Sequence, residues 1–256
     1  LEYNDNIFLE EDHVEVIFAK KHNYEAQLKG GNGWAYDFFN CPSPQAWGGG
    51  NCIAPYLEFI EEFEYADGTP GTIDREALEQ GLWTTEELWG NRDPRFYASI
   101  YTQNTMWMGE PLQFYYGLLK PDGEIILDGS YEGIAAKGNQ HTTTVRRSGT
   151  GFGVLKYLEE GKNNFTDRGT SGTDYLVFRY GEILLNYAEA AFELGKNGEA
   201  LDAINQIRRR AGAVELTSIN REAIRHERKI ELAFEGHRYW DLRRWRTATT
   251  KLTREF

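Results

Sequence analysis

The sequence predicts a mainly α-helical protein with irregular α+β loop regions, in which a tetratricopeptide-like helical hairpin packs against a loop-rich part. Three observations carry this. From Asp174 onward, apolar residues recur at spacings of three and four. Gly195 and Gly212 each follow such a run, where a helix C-terminus favours glycine. Before residue 174, short apolar runs alternate with stretches rich in Gly, Asn, Thr and aromatics. The chain therefore divides into a loop-rich region, 1–173, and a helical region, 174–256.

In the loop-rich region, His13 to Ala19 alternates weakly and reads as a short strand. Gly30 to Asn51 is Gly-rich loop carrying Trp34, Tyr36 and Trp47. Pro55 to Tyr65 has the spacing of an amphipathic helix, ended by Asp67-Gly68. Thr84 to Trp89 reads as a capped helical turn, Tyr97 to Tyr101 as a strand, residues 102–150 as long loops, and Gly153 to Tyr157 as a further short strand. In the helical region the spacing predicts helices over 175–194, 198–210 and 219–245, the last with a break at Gly236. The first two form a helix–turn–helix over about 34 residues, the length of a tetratricopeptide repeat.

Composition narrows the function classes. Of 256 residues, 40% are hydrophobic and 27% charged, which is globular and excludes a disordered chain. The net charge of −12 disfavours nucleic acid as a general partner. Charge is uneven: Gln206 to Arg246 holds eleven Lys/Arg against six Asp/Glu, which reads as an Arg-rich helical pair whose charges meet one another. No run of about 18 apolar residues predicts a membrane-spanning helix. Leu1-Glu2-Tyr3-Asn4 has no signal-peptide features, which leaves a cytosolic protein or one whose signal lies outside this chain. Cys41 and Cys52 flank a Pro/Gly loop with no second pair and no nearby His, so they read as a disulfide or as two thiols, not a zinc site.

Three stretches together resemble the SusD/RagB family: Arg179 to Ala190 (RYGEILLNYAEA), Ile204 to Gly212 (INQIRRRAG) and Glu227 to Trp245 (ERKIELAFEGHRYWDLRRW). Asp67-Gly68, Asp93-Pro94-Arg95 and Lys156-Tyr157 fall in the family's order upstream. The resemblance implies the carboxy-terminal part of a surface-exposed outer-membrane lipoprotein, its anchor outside this chain. Such a protein captures oligosaccharides, or in some members peptides, for a SusC-like TonB-dependent transporter and does not cleave them. An extracellular protein would also oxidise its thiols, so a Cys41–Cys52 bridge is the expectation.

Glu227, Arg228, Glu231, Arg238, Asp241 and Arg244 read as a structural motif of helix-spaced ion pairs, with Arg stacked on Trp240 or Trp245. His237 and Asp241 lie four apart and could share a metal, yet the ion-paired helix explains them without one. No nucleophile elbow, phosphate loop or dinucleotide fingerprint is present, and no catalytic residue, cofactor or metal is expected. Sugar binding needs aromatic faces and amide or carboxylate partners. The candidates are Trp34, Tyr36, Trp47, Tyr101, Gln103, Asn104 and Trp107, with Gln45, Asn51, Tyr115, Tyr116, Asn139, Gln140 and His141 in the same loops. The competing classes are a helical-repeat scaffold that binds proteins only and a glycoside hydrolase.

Overall fold

The computed structural model describes residues 7–22, 34–42, 50–112, 118–119, 122–126, 150–160 and 171–253. Its order is β1 (Val16–Lys20), α1 (Tyr36–Asn40), α2 (Leu57–Ile60), α3 (Arg75–Glu79), α4 (Thr85–Trp89), α5 (Pro94–Ser99) and β2 (Ile100–Tyr101). Next come β3 (Met106–Trp107), β4 (Glu110–Pro111), β5 (Leu118–Leu119), β6 (Ile125–Ile126), β7 (Gly153–Val154) and β8 (Tyr175–Arg179). The chain then turns helical through α6 (Tyr180–Glu193), α7 (Asn197–Ala211), α8 (Arg221–Glu231), α9 (Arg238–Arg244) and α10 (Ala248–Lys251). The strands pair only in twos, all antiparallel: β1–β8, β2–β7, β3–β4 and β5–β6.

Local chemistry accounts for the helix ends. Thr84 and Glu87 form a reciprocal capping box on α4. Asp93 caps α5 by accepting from Arg95 N at 2.9 Å, and Pro94 supplies a preset φ at the first helical position. Asn220 caps α8 through Ala223 N. α7 ends at Gly212, whose φ of 73° is left-handed.

Three apolar clusters form the core. Leu185 and Ala188 of α6 meet Ala203, Ile204 and Ile207 of α7, and Ile224 of α8 closes that cluster with Leu232. A second cluster joins Ile60, Phe63, Phe96, Ile100 and Phe152 to Ile230 of α8. The third gathers Phe38, Cys41, Tyr101, Trp107, Leu112 and Leu158 around α1.

Between them runs a network of buried charge. Arg179, at the end of β8, donates to Glu231 Oε1 at 2.8 Å, to both Glu235 oxygens at 2.7 and 2.8 Å, and to Glu15 Oε1 at 2.8 Å. Lys156 Nζ donates to Glu235 Oε1 at 2.8 Å and to the carbonyls of Ala233 and Glu231. Arg210 bridges Glu15 and Glu231, and Arg95 bridges Asp93, Glu227 and Glu231. Arg208 extends the chain from Glu227 to Glu64. Glu15 and Glu64 come from the loop-rich region and Glu231 from the helical one, so the network crosses the 173/174 division, as the β1–β8 ladder does.

Three expected elements change. Residues 175–179 are strand, not the start of a helix: they form an antiparallel ladder with β1, from Val16 opposite Arg179 to Lys20 opposite Tyr175. The aromatic and β-branched residues there suit a strand equally well, so the register with β1 decides. Conversely, 97–99 are helical, because the Asp93 cap and Pro94 start α5 and leave only Ile100–Tyr101 for the strand. The third expected helix is two, α8 and α9, separated by Phe234 and Gly236 at φ of 65° and 83°.

Arg179→Met leaves Glu15, Glu231 and Glu235 without their shared cation. It should lower unfolding free energy by about 3–5 kcal/mol in urea titration, whereas Arg209→Ala, in an exposed pair with Glu215, should stay within about 1 kcal/mol. Acidification reads the same network. Burial alone would push the Glu231 carboxyl up, but Arg210, Arg179 and Arg95 reverse this and hold it well below the usual range. Burial likewise opposes, and Lys156 and Arg179 overcome, the charge on Glu235, which is also lowered. Groups depressed on folding contribute fully above their unfolded pKa and lose that contribution as pH falls through the folded one. Melting temperature should therefore be level from pH 7 to about 5.5 and fall steadily below about pH 4.5, with a shallower fall in Glu231→Gln.

Candidate functional site

The candidate binding residues gather around α1. Trp34 makes an isolated bridge to Ser171, whose Oγ accepts from Asp37 N at 2.7 Å, and this pins the start of α1. The Trp34 ring stacks with His22, at 5.0 Å and 12°, and with Tyr36, at 4.8 Å and 28°. Tyr157 and Tyr175 meet it edge-on at 5.9 and 5.7 Å. Tyr36 Oη donates to the Lys156 carbonyl at 2.9 Å. Trp34 and Tyr36 are both half-buried.

The second candidate cluster divides. Tyr101 and Trp107 are 0% and 2% exposed, in the core and not on a binding surface. Gly153 makes room for Tyr101: a Cβ there would stand 2.1 Å from the ring. Tyr101 Oη donates inward, to the Asn40 carbonyl at 2.8 Å. These rings hold the loops to α1. Gln103 and Asn104 sit at the tip of the same turn, half-buried and exposed, with Gln103 Nε2 donating to Asn104 Oδ1 at 3.0 Å. Asn104 adopts a left-handed φ of 66°. Asn51 is 3% exposed. Trp47, Gln45, Tyr115, Tyr116, Asn139, Gln140 and His141 lie outside the described residues.

Cys41 and Cys52 are not bridged, contrary to expectation. Backbone bonds lay their segments together, Asn51 N to the Cys41 carbonyl at 2.9 Å and Cys52 N to the Phe39 carbonyl at 2.7 Å. Their side chains part: Cys41 is 0% exposed within the Phe38–Tyr101–Trp107 cluster, while Cys52 is exposed. Burial pushes the Cys41 thiol well up, which keeps it protonated and unreactive.

The Glu227–Trp245 motif is structural, but its partners are not the helix-spaced ones expected. Only Arg244–Asp241, at 3.4 Å, joins neighbours on one helix. Arg228 reaches Asp241 at 2.7 Å across the break and Asn186 of α6 at 2.9 Å. Arg244 grips Glu189 of α6 through two bonds of 2.6 and 2.7 Å, and Trp245 Nε1 donates to the same carboxylate at 2.8 Å. Arg225, Arg244 and Arg238 lie over the Trp245 ring at 4.7, 5.2 and 5.8 Å. His237 Nδ1 stands 3.8 Å from Glu182 Oε1, and no group of three metal-ligating side chains occurs among the described residues. Sequence reasoning missed the far ends of these pairs; an Arg closing an apolar strand, as Arg179 does, was the available signal.

A cleft of about 240 Å³ opens above the charge network, walled by Phe8, Pro94, Tyr97, Leu155 and Ile230. Arg95, Lys156, Arg179 and Glu231 on its floor are committed to one another. Burial would raise the Glu189, Glu231 and Glu235 carboxyls, but the arginines and Lys156 beside them hold all three below the usual range. No described helix is long and apolar enough to cross a membrane.

A helical hairpin with an Arg/Glu-locked core, packed against a loop-rich part, defines a mainly helical fold. The SusD family profile matches residues 14–256, and the chain belongs to the SusD family. It is 33% identical over 125 residues to SusD-like protein P38 of Formosa agariphila and 39% identical over 87 residues to SusD-like protein P2 of the same organism. These matches cover 44% and 29% of this chain and 22% and 17% of those proteins. The fold superposes on a SusD-like carbohydrate-binding protein from Bacteroides fragilis with a TM-score of 0.67 and 29% identity, covering 91% of this chain and 42% of that one. A second SusD-like protein of B. fragilis gives 0.58 and 28%, over 93% and 44%. The chain thus spans less than half the length of these structures.

Iodoacetamide should modify one thiol, Cys52, in the native protein and both after denaturation. Intact-mass analysis showing no modification without reductant would restore the disulfide.

Proposed function

We propose that the chain is part of a non-catalytic, cell-surface protein that binds oligosaccharides and presents them to a SusC-like TonB-dependent transporter of the outer membrane. The observation that carries this reading is the SusD family match across residues 14–256. The B. fragilis relative described as carbohydrate-binding supports glycan over peptide.

Burial sorts the candidate residues for this proposal. Tyr101 and Trp107 offer no ring face, which leaves Trp34 and Tyr36 as the described aromatic platform and Gln103 and Asn104 as amide partners for hydroxyls. Trp47 joins the proposal from sequence alone. Trp34 is already held by His22 and Tyr36, so its side chain loses little freedom on binding a sugar.

Calorimetry against a panel of neutral and acidic hexasaccharides tests the site. Gln103→Ala with Asn104→Ala should weaken binding about five- to tenfold, with the melting temperature within a few degrees of the parent. Trp34→Ala should weaken it more and also lower the melting temperature, because that ring packs on Tyr157 and Tyr175. Chromatography of the recovered sugars should show no shortened product; turnover would favour the hydrolase reading instead.

A further inference from the structure

Helix α9 carries a surface that the site around α1 does not use. Tyr239 and Trp240 are 50% and 63% exposed, their ring centroids 5.2 Å apart at 77°. The Arg243 guanidinium lies 5.6 and 5.7 Å from the two centroids and donates to Tyr239 Oη at 3.3 Å, so it braces both rings. Leu252, 55% exposed just past α10, lies on the same terminal segment.

The charge of this segment is unlike the rest of the chain. Residues 238–251 hold Arg238, Arg243, Arg244, Arg246 and Lys251 against a single acid, Asp241, in a protein of net charge −12. Asp241 is buried against Arg228, Arg244 is held by Glu189, and Arg238 covers Trp245. Arg243, Arg246 and Lys251 are exposed and have no carboxylate partner among the described residues. Arg246 N donates to the Arg243 carbonyl at 3.0 Å, which keeps those two residues together.

We propose that Tyr239, Trp240, Arg243 and Arg246 form a second ligand site, which takes an acidic sugar residue of a polysaccharide, a uronate or a sulfated pyranose. An exposed indole face suits the C–H face of a pyranose, and a guanidinium beside it suits a carboxylate or sulfate, which it can bind through two parallel hydrogen bonds. A neutral sugar would leave the three cations unused. A protein partner would require roughly 800 Å² on this side. Tyr239 and Trp240 are the only large aromatics exposed here among the described residues, and such rings bury about 150–250 Å² each. That area fits one or two sugar rings.

The inference rests on the reading of the chain as a glycan binder, and the test separates the two. Binding of hexagalacturonate, a sulfated galactan hexasaccharide and neutral laminarihexaose is measured by calorimetry at two salt concentrations. The parent, Trp240→Ala, Trp240→Phe and Arg243→Gln with Arg246→Gln are compared, with melting curves as the folding control. The expected result is an acidic ligand bound by the parent, weakened at least tenfold by Trp240→Ala and by the double Arg variant. Trp240→Phe should retain most of the affinity, high salt should weaken binding, and neutral binding should be unchanged throughout. Whichever acidic probe binds assigns carboxylate or sulfate. A parent that binds the neutral probe alone overturns this inference and leaves the general reading standing; a parent that binds none of the three overturns both. Acidic binding indifferent to these substitutions overturns the inference. So does a change in sedimentation without a change in sugar binding, which would give the ledge to a second copy of the chain.

Discussion

The buried alternation of Arg179, Glu231 and Glu235 with Lys156, Arg210 and Arg95 is the constraint on which the rest of the structure depends. Ionised groups this deep are tolerable only when each charge meets an opposite one with good geometry. Here the partners come from before β1, from α5, from the segment after β7, from β8 and from α7 and α8. Each of these segments is therefore located by the others, and loops that lack a sheet or bundle of their own acquire fixed positions.

That fixity reaches the α1 site through short links. Lys156 is anchored on Glu235, and its own carbonyl receives Tyr36 Oη. The neighbouring Tyr157, 1% exposed, meets Trp34 edge-on. The aromatic stack thus stands on the charged core, one residue removed from it. Tyr101 and Trp107 do the complementary work, holding the β2 to β4 turn against α1 from below.

The helical region was largely legible in the sequence, because α6, α7 and α8 each carry a strong apolar period and a glycine or asparagine at one end. The start of α6 was not: Tyr175 to Phe178 fits either period, and only pairing with Val16 to Lys20, some 160 residues away, selects the strand. Glu227, Arg228 and Glu231 are buried in ion pairs, but spacing along one helix cannot reveal that Glu231 faces Arg95, Arg179 and Arg210. Among the aromatics, composition pointed to binding and could not sort Trp34, which keeps an exposed portion, from Trp107, which does not. That difference lies in the packing around α1, which is tertiary.

The pairing of β1 with β8 sets Val16 opposite Arg179 and Lys20 opposite Tyr175. A slip of one residue along β8 would turn Arg179 outward and push Phe178 into its place, because successive side chains face opposite sides. Glu15, Glu231 and Glu235 would then crowd together around a benzene ring. Apolar strands commonly tolerate such slips because one hydrophobic residue substitutes for another. This one does not, and the single arginine at the strand's end works as a proofreading device for a contact closed across most of the chain. Such a contact forms late, since long loops must be gathered before it can be made. The arginine thus makes the correct alignment the one in which a single guanidinium donates to three carboxylates.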